Sequence, residues 1–339
     1  MTQQAPQLSV VMSVYNGEDF VADAIQCILD QTYTDFELVL INDGSKDGSL
    51  AIMQEFADRD SRIRIIDQAN TGLTIALRRG VDAARGTYIA RMDVDDISTP
   101  DRFEKQMELA AARPELVAIT SDVEHFFEDG SPSVTAQLRV DPRLLPLYLV
   151  FSNRIGGHGQ MVYRKDAYLA CGGYDPDYNF SEDYDLWTRL IEQGPFGVVP
   201  KTLYRYRSGH ESISSLNAVR QSAVAGRICR RQFHKLTGED IDEATSDGIR
   251  VFWRNFLLTG ITPQQMKSVS SAMNKAVNAF FEQNPSLADH EAEVRRKIAA
   301  KWWWRRKHLP AGDFARWSVL LANVLQWSGS ALLARGRAR

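Results

Sequence analysis

Residues 8–45 read LSVVMSVYNGEDFVADAIQCILDQTYTDFELVLINDGS, and the order of patterns in this stretch decides the fold. Leu8–Val14 is a short apolar run rich in valine, as a strand buried on both faces requires. Tyr15-Asn16-Gly17 turns the chain into a helical pattern over Glu18–Asp30. Phe36–Ile41 is a second apolar run, closed by Asn42-Asp43-Gly44-Ser45. Ser45 stands where it can cap the helix that follows, with Asp47 in its first turn. The alternation then repeats. Ile63–Ile66 is a third strand, Thr71-Gly72 introduces a helix to about Ala84, and Thr87–Met92 is a fourth strand that ends on Asp93. Strands alternating with helices predict an α/β fold with a mostly parallel sheet and helices on both faces. Such sheets bind ligands beyond the carboxyl ends of their strands, and Asn16, Asp43 and Asp93 each stand at one.

Farther along, the patterns predict a helix over about Pro100–Ala112, strands near Val117–Thr120 and Val123–Phe127, a helix over Glu182–Ile191 and a strand over Val198–Arg207. Beyond Asn217 only helical patterns remain. The expected organisation is an α/β domain over 1–216, whose first half ends near 98, a helical extension over 217–300 and an aromatic, basic tail over 301–339.

The tail is compositionally distinct. Lys301-Trp302-Trp303-Trp304-Arg305-Arg306-Lys307-His308 sets three tryptophans between cations, and Trp317–Ala334 carries no charge. On a helical wheel Trp317, Leu320, Leu321, Val324 and Leu332 share a face. Two readings stand open: a membrane-surface contact through 301–334, or a helix packed on the protein or in a homodimer interface. The run holds Asn, Gln and several Ser, so it is not expected to span a bilayer.

The formal net charge of −3 supplies no basic field, so no nucleic-acid partner is expected. Three cysteines without a CxxC pair argue against a disulfide framework or a zinc site and fit a reducing cytoplasm. Leu8–Val14 is too short for a signal-peptide core. The expected location is therefore cytoplasmic, with the tail leaving open a peripheral place at the inner face of the membrane.

Asp93-Val94-Asp95-Asp96 puts three carboxylates into four residues directly after a buried strand. Their mutual repulsion is relieved by a hard divalent cation, Mn²⁺ or Mg²⁺, which prefers oxygen ligands and leaves positions for phosphate. The plainer alternative is a helix-start cluster before Pro100, and Asp96 suits it. Glu182-Asp183 is a second acidic pair, at a helix start. Read alone it favours the helix dipole by only ~0.3–1 kcal/mol.

Together SVVMSVYNGEDFVADAIQCILDQTYTDFELVLINDGSKDGS and NTGLTIALRRGVDAARGTYIARMDVDD closely resemble the family 2 glycosyltransferases of the GT-A fold, over roughly Ser9 to Ser214. The resemblance implies a nucleotide-sugar donor, a UDP-sugar for preference, and an inverting transfer to a glycan, lipid-linked or protein-glycan acceptor. It implies that Val14, Tyr15 and Asn16 pack on base and ribose with Glu18 nearby, and that Asp43 reads the base. Arg78 or Arg79 would approach the nucleotide. Asp93 and Val94 would lie by ribose and diphosphate, and Asp95 would bind the metal, with His210 of RYRSGHESISS beside it. Asp183 is implied as the general base, Glu182 as its neighbour, and Trp187 follows on the same helix. His158 matches the family's His-Pro pair near the acceptor, but here Gly159 stands where proline is usual.

Other classes fit less well. A sugar-1-phosphate nucleotidyltransferase would want a Gly-rich loop with a basic residue after the first strand, whereas Val14-Tyr15-Asn16-Gly17-Glu18-Asp19 is acidic. A dinucleotide dehydrogenase would need GxGxxG there. A non-catalytic nucleotide-sugar binder has no evident use for both Asp95 and Asp183.

Overall fold

The structure is a computed structural model and describes residues 5–138, 140–209, 217–253, 261–309 and 312–337. The chain forms two compact units, Met1–Leu145 with Arg154–Gln221, and Pro146–Asn153 with Ser222–Arg339.

The first unit is built on one sheet of β1 (Leu8–Val14), β2 (Phe36–Asp43), β3 (Ile63–Gln68), β4 (Tyr88–Met92), β5 (Ile97–Ser98), β6 (Ala118–Phe127), β7 (Val134–Ala136), β8 (Val162–Arg164) and β9 (Phe196–Ser208). The order across it is β3-β2-β1-β4-β8-β6-β9-β5, with β7 on β6. Strands β3, β2, β1 and β4 are parallel. β8 is inserted antiparallel between β4 and β6, and β9 runs parallel to β6. The register sets Val14 opposite Asn42 and Met12 opposite Met92, so the turns after β1, β2 and β4 open at one edge.

Helices α1 (Val21–Leu29), α2 (Ser49–Arg59), α3 (Leu73–Ala83) and α4 (Arg102–Ala112) follow in chain order. Alternation along the strands sorts them onto the two faces. Val10, Met12, Leu38 and Leu40 share a core with Val21, Ile25, Ile28 and Met53 of α1 and α2. Val11 and Ile41 point the other way, toward Gly80 of α3. A Cβ at Gly80 would lie 2.6 Å from atoms of both, so glycine lets the helix settle on the sheet. Each fully buried aliphatic side chain here contributes roughly 1.5–3 kcal/mol.

The structure refines several expectations. The first helix starts at Val21, because Gly17–Phe20 is a turn in which Gly17 O accepts from Phe20 N at 2.9 Å. Ser45 does not cap α2, which begins at Ser49. Its hydroxyl instead accepts from Asn16 N, and Asp47 binds Ser49 N from outside the helix. The two strands expected near 117–127 are one strand, and the polar Ser121-Asp122 break is a register shift against β9.

The other helices among the described residues are α5 (Leu145–Phe151), α6 (Lys165–Ala170), α7 (Glu182–Leu190), α8 (Ala218–Thr237), α9 (Glu243–Trp253), α10 (Pro263–Gln283), α11 (Ala288–Trp304) and α12 (Phe314–Arg337). In the second unit the tail carries much of the core. Trp302 is buried against Phe252, with ring centroids 4.7 Å apart. Arg305 is buried too and donates to the carbonyls of Val251, Phe252 and Lys301. On α12 the buried face is Leu320, Asn323, Trp327 and Ala331; of the face drawn from the wheel Leu320 is buried, Trp317 and Val324 are half-buried and Leu321 is exposed. Polar residues sit on that face because they have partners: Trp327 Nε1 donates to Ser270 Oγ at 2.9 Å and Asn323 Nδ2 to Met266 O at 3.4 Å. Trp303, Trp304, Phe314, Leu321 and Leu325 stay exposed. The Lys307 and Leu332 side chains lie outside the described residues. Among the described residues no helix is long and apolar enough to cross a membrane.

Candidate functional site

The loops after β1 and β2 are tied together before any ligand is considered. Asn16, at φ +51°, donates its N–H to Ser45 Oγ at 3.1 Å and accepts from Lys46 N at 2.8 Å. Glu18 Oε2 accepts from Gly48 N at 2.8 Å. Val14 is buried beneath this junction and Tyr15 projects from it, 51% exposed. Val94 faces Gly17, whose Cβ, were there one, would sit 3.0 Å from Val94 Cγ2.

Asp43 is buried, and both its oxygens are engaged. Oδ1 accepts from Gln68 Nε2 at 2.8 Å, Thr71 N at 2.9 Å and Thr71 Oγ1 at 3.0 Å, while Oδ2 accepts from Gly72 N at 2.9 Å. The carboxylate therefore anchors the start of α3. The two arginines diverge. Arg79 Nη1 donates to Gln68 Oε1 at 2.8 Å, behind Asp43, whereas Arg78 Nη1 points to Tyr174 O at 3.4 Å.

At the end of β4 the acidic run is held from several sides. Arg91, fully buried in the strand, meets Asp93 Oδ1 through Nη2 at 2.6 Å. Burial pushes the Asp93 carboxyl up and the Arg91 guanidinium pulls against it. Asp96 is buried, accepting from Tyr204 Oη at 2.8 Å and Arg207 N at 2.8 Å. Arg207 Nε also donates to the Asp95 carbonyl at 2.7 Å, and its guanidinium lies over the rings of Phe20 and Phe126. Beneath the turn the buried Arg102 donates to Arg91 O at 2.9 Å. Among the described residues no three His, Cys, Asp or Glu side chains gather into a metal-binding group. His210 lies outside the described residues.

Glu182 and Asp183 open α7 after the N-cap Ser181, which itself follows Phe180, a bulky residue at φ +72°. Such a conformation is uncommon and concentrates where geometry is constrained by function. Glu182 is buried, Asp183 half-buried and Trp187 fully buried. Burial, with the like charge of Asp183, pushes the Glu182 carboxyl up to about 8, so it is mostly protonated at neutral pH. Burial also holds the His158 imidazole well below its usual range, helped by the Arg91 charge. The 3.9 Å between His158 Nδ1 and Glu182 Oε1 thus separates two largely neutral groups and exceeds hydrogen-bond range. The His158 ring stands edge-on to Tyr174 and Trp187, at 5.5 and 5.9 Å. Glu182 Oε2, His158 Nε2, Trp187 Nε1 and Arg91 Nε and Nη1 have no hydrogen-bond partner among the described residues. Buried donors and acceptors left so are costly, and a site that takes a polar ligand is one reason to keep them.

Arg91, Tyr204 and Arg207 were not singled out from the sequence. A cation inside an otherwise apolar strand, TYIARM, was the signal available for Arg91. Tyr204 and Arg207 gave none, since their partners lie more than a hundred residues away.

The sequence profile of glycosyl transferase family 2 matches residues 9–171. The amylovoran biosynthesis glycosyltransferase AmsE of Erwinia amylovora is 30% identical over 210 residues, which cover 61% of this chain and 78% of that protein. Among solved structures, residues 1–349 of TarS from S. aureus in complex with UDP-GlcNAc superpose with a TM-score of 0.58 at 14% identity, covering 96% of this chain and 91% of that one. The mannosyltransferase PcManGT of Pyrobaculum calidifontis, in complex with GDP-Man and Mn²⁺, superposes at 0.53 and 14% identity, covering 97% and 88%.

Proposed function

The chain belongs to glycosyl transferase family 2, and from that premise we propose a metal-dependent, inverting transfer from a nucleotide-sugar to a glycan, lipid-linked or protein-glycan acceptor in cell-surface polysaccharide synthesis. UDP is taken as the carrier nucleotide on the sequence resemblance. One structural neighbour holds UDP-GlcNAc and another GDP-Man, so the test below spans both bases.

The observation that carries the reading is the Asp93–Asp96 turn, at the edge where the turns after β1 and β2 also open. Arg91 pairs with Asp93, Tyr204 and the Arg207 amide hydrogen-bond Asp96, and the Arg207 side chain holds the Asp95 carbonyl between them. The donor chemistry fits a hard divalent cation, which needs as few as one or two carboxylates when phosphate oxygens complete its shell. Asp95 is its proposed ligand, with His210 the second expected. When bound, the cation would offset charge developing on the departing diphosphate.

The chain's own contribution to chemistry is assigned to Asp183. Its carboxylate would take the acceptor hydroxyl proton as that oxygen attacks the anomeric carbon. The bond from that carbon to the diphosphate breaks on the opposite side, and the diphosphate leaves with the electron pair. Glu182, largely protonated, is suited to donate a hydrogen bond beside the base rather than to act as the base. Trp187 and His158 wall the same place with buried rings. The exposed Trp303, Trp304 and Phe314, with Arg306 over the Trp303 ring at 4.3 Å, are the proposed contact to a lipid surface.

Donor hydrolysis by the full chain, screened over UDP-, GDP- and dTDP-sugars with Mg²⁺ or Mn²⁺, tests the proposal. Cation-dependent release of UDP is expected. Turnover of no donor with either cation would overturn it.

A further inference from the structure

Strand β9 also reaches the acidic turn through Tyr204. The Tyr204 side chain is fully buried, and its hydroxyl accepts from Asp93 N at 3.2 Å while donating to Asp96 Oδ2 at 2.8 Å. That single oxygen closes the run from first aspartate to last, with Asp95 between the two points of attachment. The turn's own closure, Asp96 N to Asp93 O, is long at 3.4 Å, so the outside tie matters to its shape.

Room for the hydroxyl comes from Gly159. A Cβ there would lie 1.8 Å from Tyr204 Oη, 2.0 Å from Cζ and 2.6 Å from Cε1, all far inside contact distance. Any residue bearing a Cβ, proline included, would drive the tyrosine away. The ring has little freedom to yield, because the Arg102 guanidinium packs over it at 5.0 Å in the core. Glycine at the position where the resemblance leads one to expect proline thus has a local cause in Tyr204 of β9.

We propose that Tyr204 is a positioning residue of the donor site, and that the missing side chain at Gly159 is what lets its hydroxyl fasten Asp93 to Asp96. The proposal rests on the reading of the turn as the donor site. Without the hydroxyl, the Asp93 amide and one Asp96 oxygen are left in a buried place without this partner, and the turn must shift to recover bonds.

The experiment is calorimetry of UDP binding to the full chain, with and without Mn²⁺. Tyr204→Phe should lower the Mn²⁺-linked gain in UDP affinity about 10-fold, the scale of removing one partner from a buried hydrogen-bonded pair. The metal-free affinity should change little, a split that general loosening of the fold would not produce. Gly159→Ala should reproduce that loss, yet add nothing in a Tyr204→Leu background, where the atoms its Cβ would meet are gone. Unaltered Mn²⁺-linked affinity in Tyr204→Phe overturns the proposal, as does equal damage by Gly159→Ala in both backgrounds. Should Gly159→Ala not fold, the Tyr204→Phe comparison decides alone. Absence of any UDP binding by the unmutated chain would overturn the donor-site reading and this inference with it.

Discussion

At residues 93–96 the acidic run is met by protein groups: Arg91 takes Asp93, Tyr204 and Arg207 take Asp96, and Arg207 holds the Asp95 carbonyl. At residues 182–183 the acidic pair sits among buried groups with no hydrogen-bond partner among the described residues, Glu182 Oε2, His158 Nε2 and Trp187 Nε1 among them. One region is organised before any ligand arrives. The other holds polar capacity in reserve. Fixed dipoles suit a site that must receive a charged diphosphate without reorganising. Unmatched buried polar atoms suit a site whose last partners come with a hydroxyl-rich substrate.

The comparison breaks most visibly at Asp183. Asp183→Asn should leave UDP affinity intact and slow transfer on the order of 10²–10⁴-fold, the usual worth of a positioned general base. A near-normal transfer rate would move the base elsewhere in the second region.

Asp43 sharpens the first region, because its carboxylate has a structural duty whatever its part in binding. Asp43→Ala removes the acceptor of Thr71 N and Gly72 N and should cost about 0.5–2 kcal/mol, as loss of a helix-start acceptor does. Thermal melting reads that cost, and UDP calorimetry on the folded variant reads recognition separately. A variant as stable as the parent would mean that the 71–72 turn holds itself.

Glu182 offers a smaller, pH-resolved effect. Its folded-state value of about 8 lies above the ordinary 4.5, so folding favours the protonated acid. Stability from this group is fully present below about pH 4.5 and is lost as pH rises toward about 8. Melting temperatures of Glu182→Gln minus parent should therefore climb across that window, since the amide cannot ionise. A flat difference would show that Glu182 is ionised and matched in the folded protein.

The smallest effect is expected at the tail. Truncation before Lys301 would remove the buried Trp302 and Arg305 and confound folding with binding. Phe314→Ser with Leu325→Ser touches only exposed positions, 80% and 71% accessible, and should weaken cosedimentation with anionic vesicles roughly several-fold. Unchanged cosedimentation would assign those side chains no lipid contact.

The sequence carried the α/β unit well where the signal was local. Leu8–Val14, Phe36–Ile41 and Thr87–Met92 are apolar runs bounded by turn residues, and each is a strand within two residues of its expected ends. Asp43, Asp93, Glu182 and Asp183 stood out as carboxylates at element ends. What stayed hidden is long-range. The Tyr204–Gly159 match joins residues on separate segments, and Arg207 meets Asp95 and Asp96 only after β9 is laid beside β6. The wheel found Leu320 on the buried face of α12 but not Asn323 and Trp327, whose partners on α10 lie far away in sequence.

The most direct test of the account concerns Asp95. UDP should bind the unmutated chain more tightly with Mn²⁺ than without it, and Asp95→Asn should lose that difference while keeping the metal-free affinity, an amide being a weak, uncharged ligand for a hard cation. Calorimetric titration of both proteins, with and without Mn²⁺, measures it. An Asp95→Asn protein that retains the full Mn²⁺-linked gain would contradict the assignment of the Asp93–Asp96 turn as the donor site.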